Sequence, residues 1–169
     1  MLCMSTVTTW QTSSTGSAET ERLGELLGKL LKPPVLVELR SDLGGGKTTF
    51  VKGLARGAGS KDIVTSPTFT LNQIYRAKNE IQIAHHDFYR LNEPGIMADE
   101  LTESLQDNKT ITVVEWGDIV EDVLPKERVT VEFKPVATNT DKRQIIFSYL
   151  ESKYEMVKQL ETDWVKLKL

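Results

Sequence analysis

Cysteine is almost missing from this chain: the single one, Cys3, has no second thiol for an intrachain disulfide and no companions for a zinc site. At its place near the N-terminus it reads as an incidental thiol. Also missing is an apolar run long enough to cross a bilayer, and Met1 to Gly16 lacks the basic start and continuous apolar stretch of a secretory signal. The expected location is therefore the cytoplasm. Neither charge sign is in large excess, with 21 Lys and Arg against 24 Asp and Glu for a net charge of -3. Such a balance excludes a whole-surface grip on a polyanion, so any RNA would be held by a partner and met only indirectly.

What is present suits one compact unit. The 169 residues are 39% hydrophobic and 27% charged, inside the globular range. We expect one domain over residues 1–169, with 1–16 a flexible lead. Leucines at 23, 26, 27, 30 and 31 make a helical stripe after the acids Glu19 and Glu21, and Pro33 and Pro34 end it. Val35 to Leu39 reads as a buried strand, and Lys47 to about Ala58 as a helix.

Further on, Leu71 to Ala77 and Ile81 to Phe88 read as a hairpin, Pro94 to Gln106 as a helix, and Ile111 to Glu115 as a short buried strand. Val129 to Phe133 and Gln144 to Tyr149 read as two more strands. The end places Tyr154, Val157, Leu160, Trp164 and Leu167 at helical spacing, facing a core. The mixture predicts an α/β fold, a P-loop NTPase-like sandwich with a mixed, mostly parallel sheet flanked by helices.

Chemistry concentrates in SDLGGGKTT, residues 41–49, set between the first strand and the second helix. The consensus phosphate loop is GxxxxGK followed by Ser or Thr, and Gly46, Lys47 and Thr48 match its end. Glycines at 44, 45 and 46 let backbone N–H groups turn toward phosphate oxygens, and a helix start adds its positive dipole end. Lys47 would meet the β- and γ-phosphates and Thr48 would bind Mg²⁺, with Leu43 and Thr49 completing the cradle. Ser41 stands where the first glycine is expected.

Hydrolysis also calls for carboxylates near a metal and a water. Glu115 ends one apolar strand and Asp87 ends another, where alternation puts His85 and Asp87 on one face and His86 on the other. The two histidines therefore do not share a metal. Strand-end acids are common, and the phosphate loop is what raises these two to candidates. Ser66, Pro67 and Thr68 form either a proline turn or a switch-like segment that brings a hydroxyl to the γ-phosphate.

Four blocks, SDLGGGKTT at 41–49, SPTFTL at 66–71, HHDFYRL at 85–91 and VVEW at 113–116, stand in the order found in the TsaE ATPases, which carry GDLGAGKTT, SPT with an aromatic and TL, HFDLYRL, and EW. The chain resembles that family over most of residues 17–133. The resemblance implies an ATP-hydrolysing protein that supports placement of threonylcarbamoyl on an adenosine of tRNA, with TsaD and TsaB as protein partners. It implies that Thr48 and Glu115 contact Mg²⁺, that Asp87 is needed for activity with Lys47, that Trp116 lies beside the nucleotide, and that the segment near Ser17 approaches the adenine. Departures are Ser41 for Gly, Gly45 for Ala, His86 for Phe and Phe88 for Leu.

Three rival functions share the loop. A small-molecule kinase would need an acceptor pocket and an arginine-bearing lid, whereas Arg56, Arg76 and Arg90 are scattered. A GTPase would need a guanine-reading NKxD element, and Asn139, Thr140 and Asp141 lack its lysine and read as a turn. A nucleotide-dependent regulatory subunit with little turnover of its own is the non-enzymatic rival.

Overall fold

A computed structural model describes residues 6–151 and 155–169. Cys3 and Tyr154 lie outside the described residues. Among those described, the chain order is β1 (Val7–Ser14), α1 (Ser17–Leu30), β2 (Val35–Arg40), α2 (Lys47–Gly57), β3 (Asn72–Arg76), β4 (Gln82–Asp87), α3 (Ile96–Gln106), β5 (Thr110–Glu115), β6 (Val129–Val136), β7 (Asn139–Leu150) and α4 (Glu155–Lys168).

The strands make one sheet in the order β1-β7-β6-β2-β5-β4-β3. Its centre is parallel, β6 with β2, β2 with β5 and β5 with β4. Both margins are antiparallel, with β1 on β7, β7 on β6, and β3 on β4. The expected sandwich is therefore parallel where it is most buried and antiparallel at its edges, as strands covered on both faces demand.

Two expectations from sequence are corrected. Residues 7–14 are not a flexible lead: all eight pair with β7, from Val7 opposite Leu150 to Ser14 opposite Arg143. Trp10 is buried there and stacks on Phe147, with ring centroids 5.0 Å apart. Leu167 does not face the core but is 45% exposed, because α4 buries only Val157, Leu160 and Trp164. Trp164 donates its Nε1–H to Thr12 Oγ1 at 2.8 Å, which ties the C-terminal helix to the first strand.

Alternation along the central strands divides the core between the two sheet faces. Val37, Leu39, Ile83, Ile111 and Val113 pack with Leu23, Leu27, Phe50 and Leu54 of α1 and α2. Leu36, Val114 and Phe88 pack on the other face with Met97 and Leu101 of α3. Glu38, buried on β2, is held by Arg128 at 2.7 Å and by Arg40 at 2.9 Å, so its charge is paired where it cannot reach water.

Helices α1 and α2 touch backbone to backbone. A Cβ placed on Gly53 would lie 1.8 Å from the Glu21 carbonyl oxygen, and one on Gly24 would lie 2.2 Å from that of Phe50. Only glycine permits this approach, and it fixes where α2, and with it the phosphate loop, sits over the sheet. At the helix surface Arg56 clamps Glu21 and Glu25. Gly53→Ala should lower the unfolding free energy by about 1–3 kcal/mol in urea titration, since the obstructing atom is backbone. A gain of a few tenths of a kcal/mol, as helix propensity alone would give, would contradict the close contact.

His86 faces α3, where its Nε2–H donates to Ser104 Oγ at 3.1 Å while Nδ1 has no partner. Burial, with His85 beside it, holds its pKa down at about 4 against an ordinary 6.5. The unfolded chain therefore takes up this proton first as pH falls. Stability is intact above pH 6.5 and declines toward pH 4, by on the order of 3 kcal/mol from this group. Denaturation of the protein and of His86→Phe between pH 7 and 4 should show a steeper loss for the histidine chain; parallel curves would contradict it.

Candidate functional site

Register brings three strand ends to one level. Leu39 of β2 pairs with Glu115 of β5, and Glu115 pairs with Asp87 of β4. The loop leaving β2 after Arg40 therefore emerges beside both acids. Because residues 85, 87 and 115 share the face of Leu39, their side chains point toward α2 and not toward α3.

In the loop, Gly44 and Gly46 have φ of 74° and 104°, left-handed values that Cβ-bearing residues rarely adopt, and α2 begins directly after Gly46. Lys47 is buried, and its ammonium donates to Ser41 Oγ at 2.8 Å and to the carbonyls of Ser41 and Asp42, each at 3.2 Å. Burial lowers its pKa, while Glu115, Asp87 and Asp42 oppose that shift by their charge. The same ammonium lies 4.9 Å from the ring centroid of Trp116.

Each acid is oriented by a neighbour. His85 Nε2 donates to Glu115 Oε1 at 2.8 Å. Thr68 Oγ1 donates to Asp87 Oδ2 at 2.6 Å, and since its one proton is then used, Ser66 Oγ donates to Thr68 at 2.8 Å. The Tyr89 N–H caps the other Asp87 oxygen at 2.9 Å. Trp116 takes a left-handed φ of 57° directly after β5, and its ring packs on Tyr89 with centroids 4.9 Å apart. Left-handed backbone at a bulky residue costs energy, and such outliers gather at functional sites.

Leu43, Gly44, Gly45, Gly46, Lys47, Thr48, Thr49, Thr68, Asp87, Glu115 and Trp116 line one cleft of about 210 Å³, with Ser66. The phosphate loop, Thr68, both strand-end acids and Trp116 are thus in one place. Its donors are a hydroxyl and carboxylates, the hard oxygen ligands that suit Mg²⁺. Among the described residues no three His, Cys, Asp or Glu converge on one point. That donor set fits an ion that takes one or two protein ligands and completes its shell from phosphates and water.

A second, larger cleft of about 460 Å³ adjoins the first and shares Gly44, Gly46 and Thr49 with it. Thr15, Gly16, Ser17 and Thr20 form one wall, and Asp141 and Arg143 of β7 form another. Ser17 thus lies on the wall of a cleft beside the phosphate loop. Asp141 and Arg143 escaped sequence analysis, because the string around Asn139 reads as a turn and only the pairing of β7 with β1 carries it to the loop.

A family model described as threonylcarbamoyl adenosine biosynthesis protein TsaE matches residues 14–145. The chain belongs to the TsaE family. It is 34% identical over 139 residues to the tRNA threonylcarbamoyladenosine biosynthesis protein TsaE of Bacillus subtilis (strain 168), covering 82% of this chain and 85% of the relative. The TsaE of Treponema pallidum (strain Nichols) is 36% identical over 124 residues, covering 73% of this chain and 90% of the relative. Among solved structures, that of Bacillus subtilis YdiB superposes with a TM-score of 0.75 at 29% identity, covering 97% of this chain and 99% of that one. The TsaE model spans all four sequence blocks and the whole of the first cleft.

Among the described residues, Thr68 supplies the one hydroxyl that reaches Asp87, whose carboxylate is nearly inaccessible to water. Thr68→Val should cost about 1.5–3 kcal/mol in urea denaturation, the range for a hydrogen bond to a charged group. An unchanged midpoint would show that the segment at 66–68 is not tied to the strand end.

Proposed function

We propose that this chain binds and hydrolyses ATP with Mg²⁺ in support of tRNA threonylcarbamoyladenosine synthesis, acting with TsaD and TsaB. The observation that carries the nucleotide part is the convergence of the phosphate loop, Thr68, Asp87, Glu115 and Trp116 on one cleft. Membership of the TsaE family carries the part concerning tRNA. Any tRNA would be met through the partner proteins, since the chain's net charge of -3 offers no general grip on it.

In this reading the backbone N–H groups of residues 43–49 cradle the phosphates at the start of α2. Lys47 gives up its loop carbonyls and meets the β- and γ-phosphates, and Thr48 and Glu115 hold the ion. Bound Mg²⁺ would neutralise charge developing on the phosphate oxygens. Asp87, fixed by Thr68 and the Tyr89 N–H, orients the attacking water, and Trp116 closes the phosphate end. The cleft by Ser17 and Arg143 is the place left for ribose and base.

Two features favour slow turnover by the isolated chain. Lys47 donates to the carbonyls of its own loop, and Glu115 is paired with His85. Phe69 is 81% exposed in the segment whose Thr68 holds Asp87, and partners that meet it would act on the site through that acid.

Phosphate release from ATP should be slow for the protein alone and faster with TsaD and TsaB present. Lys47→Ala should lose turnover by at least about a hundredfold under both conditions, as expected when a charged transition-state contact is deleted. Unchanged turnover in that variant would place hydrolysis elsewhere, and strong, partner-insensitive turnover would overturn the dependence on the complex.

A further inference from the structure

The three glycines of the loop are not glycine for the same reason. Gly44 and Gly46 have left-handed φ values, but Gly45 does not. Its backbone is open to any residue, so what demands glycine there is space. A Cβ on Gly45 would fall 2.4 Å from Ser41 Oγ, 2.6 Å from Ser41 Cβ and 3.0 Å from the Asp42 carbonyl oxygen. Rotating the serine removes the first contact and not the second, because Cβ does not move with χ1. An alanine at 45 beside a serine at 41 therefore requires the backbone of the loop to shift.

The Ser41 hydroxyl also has a task. It donates to the Asp42 carbonyl at 2.8 Å and accepts from the Lys47 ammonium at 2.8 Å. With the carbonyls of Ser41 and Asp42 it supplies the third acceptor for an ammonium with three protons. These are the two positions at which the loop departs from the TsaE pattern, one gaining a side chain and the other losing one.

We propose that Ser41 is a positioning residue for Lys47, and that Gly45 is its obligatory counterpart, the two forming one exchangeable unit within the phosphate loop. The hydroxyl sets where the ammonium waits for phosphate, and glycine at 45 clears the room for it. This rests on the ATP site proposed above.

Mg·ATP binding and steady-state hydrolysis would be compared for the full chain, Ser41→Gly, Gly45→Ala, the double variant Ser41→Gly with Gly45→Ala, and Ser41→Ala, with thermal melting of each. Gly45→Ala should weaken Mg·ATP at least about tenfold, as a loop displaced by a fraction of an ångström would. The double variant should return to within about threefold of Ser41→Gly, because the obstruction is gone. Ser41→Ala should raise the KM for ATP about three- to tenfold with kcat nearly unchanged, the mark of a lost binding contact.

If Gly45→Ala fails to melt cooperatively while the double variant folds and binds, the pairing stands. Gly45→Ala that binds like the unmodified chain, or a double variant no better than Gly45→Ala, overturns it. An unchanged KM in Ser41→Ala overturns the role of the hydroxyl. Absence of Mg·ATP binding by the unmodified chain would instead remove the ATP site itself.

Discussion

The parallel register of β2, β5 and β4 is the constraint from which the site follows. With Leu39, Glu115 and Asp87 at one level, the loop after β2 has no other place to open than beside two carboxylates. A slip of one residue in β5 would turn Glu115 to the α3 face, since side chains alternate along a strand. Buried apolar side chains on both faces make that slip expensive: Ile111 and Val113 fill one core and Val114 the other. The same packing that stabilises the sheet therefore positions its polar ends.

The second requirement is the height of α2 above the sheet. Close glycine contacts with α1 bring α2 down, and Phe50 then meets Phe133 and Phe147 of the far strands, with centroids 5.4 Å and 6.4 Å away. The start of α2 is thereby held over Glu115, and Lys47 can feel that carboxylate as well as Asp87. Each charged side chain in the cleft has an internal partner: Lys47 its loop, Glu115 His85, Asp87 Thr68. Buried polar groups without partners are costly, and these contacts meet that need within the chain.

Local features were legible in the sequence. Strand, glycine loop and helix are contiguous, so residues 35–57 could be read without knowing what surrounds them, and the hairpin of β3 and β4 needed only a turn between two apolar runs. Both strand-end acids were legible for the same reason. Partnerships that depend on strand order were not. His85 reaches Glu115 across 30 residues, and Asp141 and Arg143 reach the loop only because β7 runs back along β1. The β1 strand itself is polar and lies at a sheet edge, with Trp10 and Ser14 as its buried positions, so its composition resembles a loose terminus. Glycines 24 and 53 carried no signal, since a lone glycine in a helix looks like a weakness until the facing helix is known.

The central claim is that one ion and one nucleotide unite Thr48, Glu115 and the phosphate loop. A crystal structure of the chain with a non-hydrolysable ATP analogue and Mn²⁺ in place of Mg²⁺ tests it most directly, because anomalous scattering locates the ion independently of the surrounding density. The account predicts the ion within coordination distance of Thr48 Oγ1, beside Glu115, with the β- and γ-phosphates inside residues 43–49 and Lys47 drawn onto them. Phosphates bound outside the loop, or an ion remote from Thr48 and Glu115, would contradict it.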